Sequence, residues 1–183
     1  MTTLENRPNT ALLVIDVQNE VVARAHDRDR VVARIAGLVE DARRAGVPPG
    51  LGPALRRRTH CGKPGLAHLR RTDPGRDRAL VAKNYGDSFE DTTLESTLAR
   101  LGIGHLVVAG AQTDQCVRST IHGGFARGYD VTLVADAHTT EDLSQWGGAP
   151  PPEQVIAHTN LYWSHQSAPG RTAQTVPAAD IVW

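Results

Sequence analysis

Three side chains of different chemistry close three separate apolar runs: Asp16 after ALLVI, Lys83 after ALVA, and Cys116 just beyond HLVVAGA. The third is the most telling. Leu106, Val107, Val108 and Ala109 read as a buried strand, Gly110 and Ala111 as a small-residue turn, and the following residues as a helix with a cysteine in its first turn. Asp114 stands where an N-cap is predicted. A thiol at that place faces free backbone N–H groups and the positive end of the helix dipole, which predicts a lowered pKa and a nucleophile. Taken alone, a single cysteine is more often a small buried residue packing like alanine. With Asp16 and Lys83 the set becomes a nucleophile, a base and a cation. Asp16 would take the thiol proton and return it to a leaving group. Lys83 would hold Asp16 and favour the thiolate. The backbone amides of Gln112 and Cys116 would receive an oxyanion. No metal and no cofactor is needed for such chemistry.

These groups need elements that bring them together. Residues 11–17 predict a strand, and Val31, Val32, Ile35, Leu38 and Val39 give helical spacing over 27–45, ended by Gly46. Residues 79–83 predict a strand and 93–101 a helix with Leu94, Leu98 and Leu101 on one face. Strand 105–109, helix 114–127 and strand 131–135 continue the rhythm, followed by a helix over 152–163 and an extended tail with one edge strand. Such alternation predicts a doubly wound, Rossmann-like parallel sheet with helices on both faces, a three-layer α/β/α single domain over 1–183. In that arrangement the strand carboxyl ends share one edge, where ligands sit. Asp16, Lys83 and Cys116 are all at such ends.

The 183 residues carry 20 basic and 20 acidic side chains, a formal net charge of zero, so nothing global points to nucleic acid or a membrane surface. With two cysteines, no apolar amino-terminal signal region and no run long enough to span a bilayer, the composition predicts a cytoplasmic protein.

The segments ALLVIDVQN (11–19), VAKNYGDSFEDTTLESTLARLGI (81–103) and HLVVAGAQTDQCVRSTIHGGFARGYDVTLVADAHTT (105–140) together resemble the isochorismatase-like cysteine hydrolases. That family includes nicotinamidases, isochorismatases, carbamoyl-amide hydrolases and streptothricin hydrolase. The resemblance places Asp16, Lys83 and Cys116 at the family's catalytic triad. It implies a cis peptide between Ala111 and Gln112 that turns the Gln112 amide toward the oxyanion. It also implies hydrolysis of a small-molecule amide or lactam through a thioester, and assembly into homo-oligomers. Isochorismatase itself cleaves a vinyl ether without a nucleophilic cysteine, a chemistry that Cys116 argues against. Ether or ester hydrolysis and a non-catalytic redox or interaction module are the rival readings. Asn84, Tyr85, Phe89 and Thr113 are candidates for the pocket wall, with core or surface roles as the alternative. Asp136 and His138, ending the next strand, suit structural hydrogen bonding. The metal-binding Asp-x-His usual in nicotinamidases is not visible, so no metal site is assigned.

One segment departs from the pattern. Where a second strand is due, from about Val47, residues 49–78 hold eight basic and two acidic side chains, with prolines and glycines crowding the strand position. A basic loop for an anionic ligand and an inserted lid are two explanations; a displaced reading frame is the third. Back-translating 49–72 and reading one base later permits LVWVQHSDDELTAGSPAWHISDEL, an apolar strand with a Gln-His end and an acidic loop like the family's. The displaced frame is the reading adopted, and a continuous gene frame with no compensating insertion and deletion would overturn it. If the chain carries these residues as written, the second strand loses its apolar contribution. Cys61 and His60 receive no metal or redox role.

Overall fold

The structure, a computed structural model, describes residues 2–47, 52–55 and 80–183. Strand β1 (Asn9–Ile15) leads through the short helix α1 (Asn19–Val22) to helix α2 (Arg28–Arg44). Strands β2 (Gly52–Leu55) and β3 (Leu80–Lys83) precede helix α3 (Leu94–Arg100), strand β4 (Ile103–Ala111), helix α4 (Arg118–Ala126) and strand β5 (Asp130–Thr139). Helix α5 (Pro152–Ser164) and strands β6 (Ser167–Ala168) and β7 (Arg171–Val176) complete the chain. The main sheet runs β1-β4-β5-β7-β6, parallel except at β6, and β2 pairs with β3 in a separate parallel ladder lying against β1.

Alternation along β1 builds both layers. Ala11, Leu13 and Ile15 face one core with Leu94, Leu98, Ile121, Phe125 and Trp163. Leu12 faces the other, where α2 buries Val31, Ile35, Leu38, Val39 and Ala42. Period two in the strand and the 3.6-residue period in α2 are thus satisfied at once, giving the predicted helix layers on both faces. Among the described residues no helix is long and apolar enough to cross a membrane.

Three expectations are revised. The tail is more than an edge: β7 pairs in parallel with β5, and only two-residue β6 runs antiparallel at the rim. Arg171–Val176 is RTAQTV with only Ala173 buried, so it carries no apolar run to read. Strand β5 extends to Thr139 because its polar end, Asp136 to Thr139, finds partners: Arg34, Thr113, Asn160 and the His26 carbonyl. A second strand does form, four residues long, with Pro53 in register with Val81. Among the described residues β2 makes a ladder with β3 alone. The remainder of the atypical segment, with Cys61 and His60, lies outside the described residues.

Candidate active site

Strand order reverses between β1 and β4: the connection after β1 leads to α2 on one face, that after β4 to α4 on the other. The two exits diverge at the carboxyl ends, the edge where doubly wound sheets place their ligands. Asp16 follows β1 in a left-handed conformation (φ 47°). The chain is close-packed beneath it. Ile15 pairs with Gly110, and a Cβ built on Gly110 (φ 128°) would lie 2.1 Å from the Ile15 carbonyl oxygen. Only glycine fits that contact.

Lys83, the last residue of β3, donates from Nζ to Asp16 Oδ2 at 2.8 Å, with 0% and 1% of the two side chains exposed. The same ammonium reaches the carbonyls of Tyr85 at 3.1 Å and Gly86 at 3.5 Å. The loop it grips is fastened to α4: the Ser88 N–H donates to Thr120 Oγ1 at 3.1 Å, and their hydroxyls meet at 2.8 Å. Sequence order therefore separates Asp16 and Lys83 widely while packing makes them a dry ion pair.

Strand β4 ends in a cis peptide between Ala111 and Gln112. Thr113–Val117 then forms a wide turn, closed by the Val117 N–H on the Gln112 carbonyl at 3.1 Å, and α4 follows. Cys116 sits in this turn as a free, half-buried thiol. It interacts by charge and hydrogen bond with both Asp16 and Lys83. The structure thus brings the three side chains together. Its electrostatics correct the sequence reading, which had the helix dipole lowering the thiol pKa. Burial pushes the Cys116 pKa up, Asp16's charge and hydrogen bond push it further, and Lys83 only partly opposes them. Asp114 is corrected too. Opening the turn to five-residue closure moves the extended cap position to Gln112. The Asp114 carboxylate instead accepts from the Thr140 hydroxyl at 2.6 Å.

The Gln112 side chain anchors the turn. Its Oε1 accepts from the Glu141 N–H at 2.9 Å and lies 2.9 Å from the Thr140 hydroxyl, which shares its one proton between this oxygen and Asp114, and its Nε2 donates to the Val21 carbonyl at 3.4 Å. Thr113, grouped with the pocket candidates, is fully buried with its hydroxyl on His138. Phe89 belongs to the core, its ring centroid 5.6 Å from that of Tyr129. Asn84 and Tyr85 are exposed beside Lys83. The residues the sequence reading missed as anchors are Thr140 and Asn160, polar side chains with no motif of their own, placed by strand β5 and helix α5.

An open recess of about 580 Å³ lined by Asn19, Ala23, Asp27, Arg28 and Asp29 has none of the three reactive residues in its wall. Among the described residues no group of three or more His, Cys, Asp or Glu could hold a metal ion.

Residues 10–149 match the isochorismatase domain family. The chain is similar to the ureidoacrylate amidohydrolase RutB of Methylobacterium radiotolerans, 32% identical over 174 residues, covering 70% of this chain and 66% of that protein. It thus spans just under two thirds of that relative's length. It is also similar to a probable inactive nicotinamidase of Arabidopsis thaliana, 29% identical over 70% of this chain and 80% of the relative. A crystal structure of an isochorismatase from Pseudomonas putida superposes with a TM-score of 0.79 at 26% identity, covering 95% of this chain and 90% of that one.

Proposed function

Because this chain belongs to the isochorismatase family, we propose that it hydrolyses the C–N amide bond of a small molecule through a thioester on Cys116. The observation that carries the reading is the buried Lys83–Asp16 pair in charge and hydrogen-bond contact with the Cys116 thiol at the carboxyl ends of the strands. Burial and Asp16 both favour the protonated sulfur at rest. Activation is therefore proton transfer at the moment of attack rather than storage of a thiolate. Asp16 accepts the Cys116 proton as Sγ adds to the amide carbonyl carbon. The carbonyl oxygen becomes an oxyanion facing the Gln112 and Cys116 amides. The C–N bond then breaks, and the proton on Asp16 passes to the departing nitrogen, which leaves as ammonia or an amine. A water molecule, deprotonated by Asp16, adds to the thioester; the C–S bond breaks, the carboxylic acid leaves and the thiol regains its proton. Throughout, Lys83 holds Asp16 in line by the 2.8 Å contact.

The similarity to a ureidoacrylate amidohydrolase supports a ureido or carbamoyl amide as the substrate class. Ammonia release from ureidoacrylate and nicotinamide, with a cyclic lactam scored by the mass gain of one water, ranks the alternatives. Cys116→Ala should abolish turnover and leave the circular dichroism spectrum and thermal midpoint near wild type. Turnover persisting in that variant overturns the thioester and points to ether or ester hydrolysis. The reading extends to a homo-oligomer acting in the cytoplasm, which sedimentation and fractionation test.

A further inference from the structure

His138 is 1% exposed and takes no part in the reaction derived above. It sits on β5 opposite Gly110, at the point where β4 gives way to the turn carrying Cys116. Both ring nitrogens are engaged: Nδ1 lies 2.8 Å from Thr113 Oγ1, and Nε2 lies 2.9 Å from Asn160 Oδ1. A backbone carbonyl sets the direction of these bonds. Asn160 Nδ2 donates to the Ala135 oxygen at 2.9 Å, which leaves Oδ1 toward the ring. An amide oxygen only accepts, so Nε2 carries the ring proton. Burial favours the neutral ring, making Nδ1 a lone pair. The Thr113 hydroxyl must then donate to it. The chain of donors runs one way, from Thr113 to His138 to Asn160 to the Ala135 carbonyl. The Asn160 carbonyl in turn accepts from Thr175 on β7 at 3.2 Å, which ties the far end to the sheet.

Thr113 stands between Gln112, the proposed oxyanion donor, and the nucleophile three residues on. Residues 140–141 already hold the Gln112 side chain. We infer that His138 is a positioning residue that, through Thr113, holds the Gln112–Thr113 backbone in the orientation that aims the Gln112 N–H at the developing oxyanion. The inference rests on the thioester reading above.

Two substitutions separate the two ends of the imidazole. His138→Asn retains an acceptor near the Nδ1 position and loses the donor to Asn160. His138→Gln retains a donor near the Nε2 position and loses the acceptor for Thr113. Two probes separate oxyanion stabilisation from thiol reactivity. Acylation by p-nitrophenyl acetate, read as the burst of p-nitrophenolate, passes through an oxyanion. Alkylation by iodoacetamide, read by mass, displaces iodide without one. His138→Gln should slow acylation about tenfold or more while alkylation stays within about twofold. Thr113→Val should repeat that pattern without touching the ring, whereas His138→Asn and Thr113→Ser should acylate within about threefold of wild type. Thermal midpoints are recorded for all four, since a purely structural role would move the midpoint and leave acylation by the folded protein unchanged.

Acylation unaltered in His138→Gln and Thr113→Val, or falling equally in His138→Asn, overturns the inference. So does a parallel fall in acylation and alkylation. A burst that survives in Cys116→Ala overturns the thioester reading and the inference with it. A burst that depends on Cys116 but ignores His138→Gln overturns the inference alone.

Discussion

Lys83→Met keeps an unbranched side chain of similar length and removes one charge from the driest ion pair in the described structure. Lys83 and Asp16 are 2.8 Å apart with 0% and 1% of their side chains exposed, so water cannot replace the lost ammonium without opening the site. Stripping one partner from such a pair costs about 3–5 kcal/mol, because the remaining charge keeps its desolvation penalty and loses its compensation. The carbonyls of Tyr85 and Gly86 lose a donor in the same step, which loosens the loop after β3. For a chain of this size each kcal/mol moves the thermal midpoint about 2–4 °C, so a fall of about 6–20 °C is expected. Lys83→Met/Asp16→Asn removes both charges together. That double variant should recover to within about 1–2 kcal/mol of wild type, since buried pairs exchanged whole are close to neutral. Urea denaturation of the wild type, both single variants and the double, at one pH and with slopes compared, gives the coupling energy. A Lys83→Met variant within about 1 kcal/mol of wild type, or a double variant equal to the sum of the singles, would refute the buried-pair argument.

Gly110→Ala should be far more damaging than an ordinary Gly→Ala change: the new Cβ would lie 2.1 Å from the Ile15 oxygen and 2.7 Å from its nitrogen, at φ 128°. A loss of about 3 kcal/mol or more is expected from strain and backbone displacement, and a normal urea midpoint would contradict the close β1–β4 approach. Acid should destabilise the fold before the carboxylates titrate. Burial holds the imidazoles of His105, His122 and His138 below their ordinary pKa. As pH falls through about 6.5 the unfolded chain binds protons that the folded chain does not. Stability therefore drops with falling pH, by up to about 1.4 kcal/mol per pH unit for the fully buried His138. Thermal midpoints between about pH 7.5 and 5 should decline, and less steeply in His138→Asn; a level or rising midpoint would contradict the sign.

The elements that position the site were legible from local pattern where side chains report directly on burial. The run ALLVI, the α2 spacing through Val31, Ile35 and Leu38, and the turn glycines after α2, α3 and α4 mark elements whose ends shifted by a few residues at most. Helix α4 was legible only in part, because the five-residue turn at Thr113–Val117 has no periodicity distinct from a helix start. Strand β7 was legible only as an edge strand somewhere in the tail, not as a parallel partner of β5. It earns its place through backbone ladders to β5 and hydrogen bonds such as Gln174 Nε2 to Thr132 Oγ1 at 2.8 Å, and neither leaves an apolar signature.

The residue types at the strand ends, by themselves, set which chemistry was open to this chain: a thiol, a carboxylate and an ammonium at places a parallel sheet collects along one edge. The state in which those groups meet belonged to tertiary structure alone. The thiol's pKa is pushed up by burial and by a carboxylate a hundred residues away in sequence, opposite to the direction that sequence position suggested. The directed bonds from Thr113 through His138 to Asn160 likewise join two strand ends and a helix that no spacing along the chain relates. Electrostatic and hydrogen-bond energies depend on distance through space and on access to water, and both are fixed only when the layers close.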